Sequence, residues 1–121
     1  MENISQSERA EALKSIQSTI HKSETALAKM TDEGSNTTLI KKRLKAHYIG
    51  LAMLEYYWNQ TPHNYSENDL KEALETLTNL FPSLEKSYAK CKENSSQRTL
   101  LNRRIRALKM AVQAINEYTN V

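Results

Sequence analysis

Apolar residues recur along the chain in alternating steps of three and four, and four stretches carry the pattern. The first is Leu13, Ile16, Ile20, Leu27 and Met30, with Ser23 filling one step. The second is Ile40, Leu44, His47, Leu51, Leu54 and Trp58. The third runs Leu74, Leu77, Phe81, Leu84, Tyr88 and Cys91, and the fourth Leu101, Ile105, Leu108, Val112 and Ile115. That spacing sets each group on a single stripe of an α-helix, so four amphipathic helices are expected. The punctuation agrees. Ser5 followed by Glu8, and Ser66 followed by Asp69, are a capping hydroxyl with an acid three residues on. Gly34 marks the turn of the first hairpin, and Ser35 and Ser96 stand as caps after the two turns. Residues 60–65, containing Thr61-Pro62, form the one real linker. Pro82 interrupts the third stripe, and a proline there removes a donor and crowds the preceding turn, which predicts a kink or break near Asn79 to Phe81.

The first and last pairs of stripes are also alike residue by residue. An offset of 61 puts Ser5 on Ser66, the run Glu11 to Leu13 on Glu72 to Leu74, and Glu24 on Glu85. Further on it puts Thr38-Leu39 on Thr99-Leu100, Arg43 on Arg104, Ala46 on Ala107 and Tyr57 on Tyr118. Fourteen identities fall over residues 4–60 without a gap. Generic amphipathicity does not match turns and caps in one register, so the pattern predicts a tandem duplication. The expected architecture is an all-α four-helix bundle of two antiparallel helical hairpins, residues 5–60 and 66–120, packed about a pseudo-twofold axis in a single domain spanning 1–121.

Composition supports helices. Only two glycines and two prolines occur, against about a dozen expected for the pair at average usage. Turns must therefore be few and elements long. With 121 residues the chain can bury about two-thirds of its unfolded surface, enough for one core without staples. The single Cys91 has no partner for an internal disulfide and sits in an apolar stripe, which suits a reducing, cytoplasmic setting. No stretch is apolar enough for a leader or a membrane span. A net charge of +3 falls short of what would by itself announce a nucleic-acid binder.

Catalytic signals are missing. His21, His47 and His63 are too few and too scattered for a metal site, and no nucleophile elbow, paired-cysteine motif or glycine-rich phosphate loop occurs. The chain is expected to be no enzyme and to need no metal or cofactor, with His47, opposite Leu108 in the repeat, at the edge of the core. If the hairpin turns near residue 33 or 34, Glu24 faces Arg43 and Glu85 faces Arg104, as half-buried structural ion pairs.

Two features remain for function. Lys41, Lys42 and Lys45 on the second helix, and Arg103 and Arg106 on the fourth, form two related basic patches away from the core stripe. Ile49, Ala52, Met53 and Tyr56 make the second helix apolar nearly all round, unlike their counterparts Met110, Gln113, Ala114 and Glu117, and an apolar outer face suggests a contact surface. The expectation is a small protein-interaction module, an adaptor, inhibitor or chaperone-like regulator, binding a protein partner through that face. An acidic partner would suit the basic patches, and self-association through the same face is equally compatible. The alternative is a module that binds structured RNA or the DNA backbone through the basic patches.

Overall fold

The computed structural model of the chain describes residues 3–120. All of the regular structure among them is helical: α1 (Gln6–Asp32), α2 (Thr38–Asn59), α3 (Glu67–Thr78), α4 (Phe81–Lys90) and α5 (Ser96–Thr119). The break between α3 and α4 is the one that Pro82 predicts. Pro82 lies in the first turn of α4, where a missing N–H has no helical acceptor to lose. The two segments together make one bent rod, giving four rods in all.

The helix starts follow the sequence closely at two points. Ser5 Oγ accepts from the Glu8 N–H at 3.1 Å while the Glu8 carboxylate accepts from the Ser5 N–H at 3.4 Å. Ser66 and Asp69 repeat the arrangement at 3.1 and 3.2 Å. Each box satisfies two donors that the first helical turn leaves unpaired, and each capping hydroxyl contributes about 1 kcal/mol. The other two starts differ from expectation. Neither Ser35 nor Ser96 is a cap: α2 begins after Thr37, with Asn36 Oδ1 accepting from the Thr38 N–H at 3.0 Å, and Ser95 caps α5 by accepting from the Arg98 N–H at 3.1 Å. Gly34 does close α1, at a φ of +74° that side chains resist.

α2 is the centre of the molecule. It packs against α1, α3 and α5, while α5 meets α1, α2, α3 and α4. These three neighbours cover the side of α2 that carries Ile49 and Met53, and this corrects the expectation of an outward apolar face. Ile49 is 1% exposed and Met53 0%, Ala52 is half-buried, and only Tyr56, at 36%, reaches solvent. An all-round apolar helix is what a central rod requires, because each face buries against a different partner. α2 comes close to α5, and to α3, at Gly50. A Cβ there would stand 3.2 Å from Ala111 Cβ and 3.3 Å from Leu77 Cδ1, so the backbones come together because this position lacks a side chain.

Along this contact the residues of α2 at 43, 47, 50 and 54 run parallel with those of α5 at 104, 108, 111 and 115, each pair 61 apart. His47, Leu54, Leu108, Ala111 and Ile115 are all buried. Burying a leucine or isoleucine side chain stabilises by about 1.5–3 kcal/mol, so this seam is a main source of cohesion.

Candidate functional site

Cations and carboxylates join α1 to α5, and α2 to α3, in the same way. Arg106 Nη2 donates to Glu8 at 3.2 Å, and Lys45 Nζ to Asp69 at 3.0 Å. Both acids are the third residue of a capping box, and both members of each pair lie 61 apart from those of the other. The Lys45 ammonium holds the Asp69 carboxyl below its ordinary range, and Asp69 in turn raises Lys45. Arg103 adds a second bridge to Glu11 at 3.4 Å. Two small crevices flank these contacts. One is lined by Glu8, Glu11, Arg103 and Arg106 around Ala12 and Ala107, the other by Asp69, Glu72, Lys42 and Lys45 around Ala73 and Ala46. Three of the five residues in the expected basic patches are therefore engaged inside the molecule. Lys41 and Lys42 remain exposed.

Beyond the Glu11–Arg103 bridge a cleft of about 670 Å³ opens between α1 and α5, with Ser87 of α4 and Ile40 of α2 on its border. The α1 wall is made of short side chains, Ser15, Ser18, Thr19, Ser23 and Ala26, and the apolar part comes from Ile40, Leu100 and Leu101. Leu100 is 59% exposed, the largest value among the exposed large hydrophobics of the described residues. Lys14, Lys22, Arg103 and Arg104 supply four cations against one carboxylate, Glu11, which Arg103 already binds.

Arg104 connects the cleft to the start of the α2–α5 seam. It is half-buried, its Nε has no hydrogen-bond partner, and its pKa is pushed down first by burial and then by the charge of Arg43. The expected ion pairs Glu24–Arg43 and Glu85–Arg104 do not form among the described residues. Glu24 accepts instead from the Tyr48 hydroxyl, which raises the tyrosine pKa. The reason lies in the turn. Residues 33–37 separate α1 from α2, so the hairpin folds about a later point than residue 33 or 34, and the partner of Glu24 moves five positions along α2. With Glu24 so engaged, neither Arg43 nor Arg104 has a carboxylate partner among the described residues.

His47 lies in the next layer, 3% exposed. Its Nδ1 is 2.7 Å from the carbonyl oxygen of Arg43, which can only accept, so Nδ1 carries the proton. Nε2 is then a lone-pair acceptor, buried and without a partner. Burial holds the His47 pKa below its ordinary value, and Arg104 and Arg43 push in the same direction. The ring is thus neutral and shut in. At the far end of the seam an aromatic group closes the bundle: Tyr56 meets Tyr57, Tyr118 and His63 edge to face at ring distances of 5.2, 5.5 and 5.3 Å. Arg9 lies 5.7 Å over the ring of the buried Trp58.

The cleft escaped sequence reasoning because Ser23 read as a single gap in the α1 stripe, and Ser15, Ser18 and Thr19 as ordinary polar positions beside it. The available signal was comparative: Ser15, Thr19 and Ser23 stand 61 before Thr76, Leu80 and Leu84. Among the described residues no three histidine, cysteine or acidic side chains gather as a metal group, and no helix is long and apolar enough to cross a membrane. Comparison with protein-family models, with curated proteins and with solved structures finds no match for the chain.

Proposed function

We propose that the chain is a non-catalytic interaction module, a four-helix bundle of two duplicated hairpins about a pseudo-twofold axis, which docks an acidic, amphipathic segment of a partner protein in the α1–α5 cleft. The observation that carries this reading is the pairing of an apolar border, with Leu100 largely exposed, and four cations facing a single, already bound carboxylate. A helix with leucines on one face and acids on its flanks matches both features. Such charge complementarity speeds encounter and selects the partner more than it adds affinity.

Support for the duplication comes from the geometry at positions 61 apart: twin capping boxes, twin ion pairs, and the meeting of Gly50 with Ala111. The non-catalytic reading draws on His47. Its free nitrogen is buried, and the charges near it are arginines rather than a nucleophile or an acid. A reducing, cytoplasmic setting suits the half-buried Cys91, which has no second cysteine to oxidise with. Nucleic-acid binding by the basic patches is less well supported, since Lys45, Arg103 and Arg106 are occupied by Asp69, Glu11 and Glu8.

Fluorescence anisotropy with a labelled synthetic helix of alternating leucine and glutamate faces tests the proposal. Binding is expected at low salt. Leu100→Ser should weaken it about tenfold or more, the effect of losing one apolar anchor of about 1.4 kcal/mol or more. Lys14→Glu with Lys22→Glu should abolish it. Equal affinity for a lysine-faced peptide, or indifference to all three changes, would remove the proposal.

A further inference from the structure

The side chains at two places on α1 are much smaller than those 61 residues further on. Thr19 and Ser23 line the cleft, where the later positions hold Leu80 and Leu84. Leu84 is buried and Leu80 packs against the core. The rod that carries these leucines is broken ahead of Pro82, and its second part, α4, packs on α5. α1 runs unbroken from Gln6 to Asp32 and offers only short side chains at the matching places, so the space beside them stays open. The Thr19 hydroxyl donates to the Ser15 carbonyl of its own helix at 3.2 Å and needs nothing from the cleft. Ile40, Leu100 and Leu101 supply apolar surface to the same cleft, and Leu100 keeps 59% of its own exposed.

Two cations bracket these places. Lys14 and Lys22 line the cleft, both are exposed, and neither has a carboxylate partner among the described residues. They stand eight residues apart, about 12 Å along the helix axis, whereas Thr19 and Ser23 are four apart, about 6 Å, on one face. From this arrangement we infer that the docked segment is a helix with leucines at positions i and i+4, which lodge against Thr19 and Ser23, and with acids seven or eight residues apart on its flank, which meet Lys14 and Lys22. Helices share one rise per residue, so these spacings match whichever way the segment runs. The inference rests on the docking proposal for an acidic helix as partner, and adds which side chains that helix presents and how far apart they stand. The partner's leucines then do for this half what Leu80 and Leu84 do for the other.

Two labelled helical peptides of equal composition, each with its acids eight apart, test the spacing on the whole chain by fluorescence anisotropy at low salt. One carries its leucines at i and i+4 and the other at i and i+2, which lie on different sides of a helix. The first is expected to bind about tenfold or more tightly, since the second can seat only one anchor. Thr19→Leu with Ser23→Leu should weaken the first peptide by about tenfold or more, because the chain's own side chains then occupy the places. This variant should melt no lower than the parent, leucine being the better helix former. Should it melt lower, the peptide pair still decides, as it needs no substitution. Equal affinity for the two peptides, or a double variant that binds the first as well as the parent or better, would overturn the inference. Equal binding that is lost on Lys14→Glu with Lys22→Glu would keep the docking proposal and remove the spacing, whereas binding of neither peptide would remove both.

Discussion

The contact of α1 with α5 and the contact of α3 with α2 begin alike and end differently. Each opens with a capping box whose acid is held by a cation from the other hairpin, Glu8 by Arg106 and Asp69 by Lys45. Each continues past paired alanines, Ala12 with Ala107 and Ala73 with Ala46, that let the helices approach. One turn further on they part. α1 presents Ser15, Thr19 and Ser23 and a cleft stands open, while the corresponding residues on the other side are Thr76, Leu80 and Leu84, of which Thr76 and Leu84 are buried. Under the proposed duplication, the shared part is the scaffold and the divergent part is where the proposed docking cleft lies. The bend at Pro82 belongs to the same divergence, since it occurs only in the half whose helix turns its leucines inward.

If the halves are equivalent where they look equivalent, matched substitutions should have matched consequences. The largest effects are expected at the seam. Leu54→Ala and Ile115→Ala, both at 0% exposure and 61 apart, should each lower unfolding stability by about 2–5 kcal/mol in urea titrations followed by Trp58 fluorescence. A large cost at one and a negligible cost at the other would break the equivalence. Next comes Gly50→Val, which puts methyl groups where a single Cβ already meets Ala111 and Leu77 at 3.2 and 3.3 Å. A loss of about 1–3 kcal/mol is expected from the overpacking. No loss at all would mean that α2 and α5 are not held at this distance.

Caps should matter less and equally. Ser5→Ala and Ser66→Ala should each cost about 1 kcal/mol by the same measurement, as each removes a hydroxyl bonded at 3.1 Å.

Much of this was legible without coordinates, and for identifiable reasons. The capping boxes and the break at Pro82 are local: they depend on residues within one turn, whose chemistry acts whatever the tertiary context. Faces are not local. Ile49 and Met53 look outward on a helical wheel drawn from one stripe, yet a helix with three neighbours has three stripes, and nothing in its own sequence says how many neighbours it has. Pairing across a hairpin is sensitive in another way. Moving the assumed turn from residue 33 or 34 to about residue 36, within 33–37, displaces the partner of Glu24 from Arg43 to Tyr48. The cleft is hardest to see, because a cavity is defined by side chains that are too small.

The remaining differences between the halves are electrostatic and smaller. His47 stands where the other half has Leu108, and its pKa is held below its ordinary value by burial. The unfolded chain therefore takes up a proton as pH falls through about 6.5 while the folded chain resists it, so stability should fall from pH 7 toward pH 5. His47→Leu should flatten that dependence, as read by urea midpoints across the range. An unchanged slope would assign the pH response to other groups. The smallest effects belong to the exposed pairs. Lys45→Gln and Arg106→Gln should lower the melting midpoint slightly at low salt, by similar amounts, and hardly at all at high salt.

Backbone amide chemical shifts recorded while the leucine–glutamate helix is added to the intact chain bear most directly on the division between a closed half and an open one. The account predicts saturable changes confined to the cleft lining, α1 residues 14–26 and α5 residues 97–104 with the border residues Ile40 and Ser87, and the amides around Thr76 and Leu80 unmoved. Changes of equal size on both halves, or centred on Lys41 and Lys42, would contradict it.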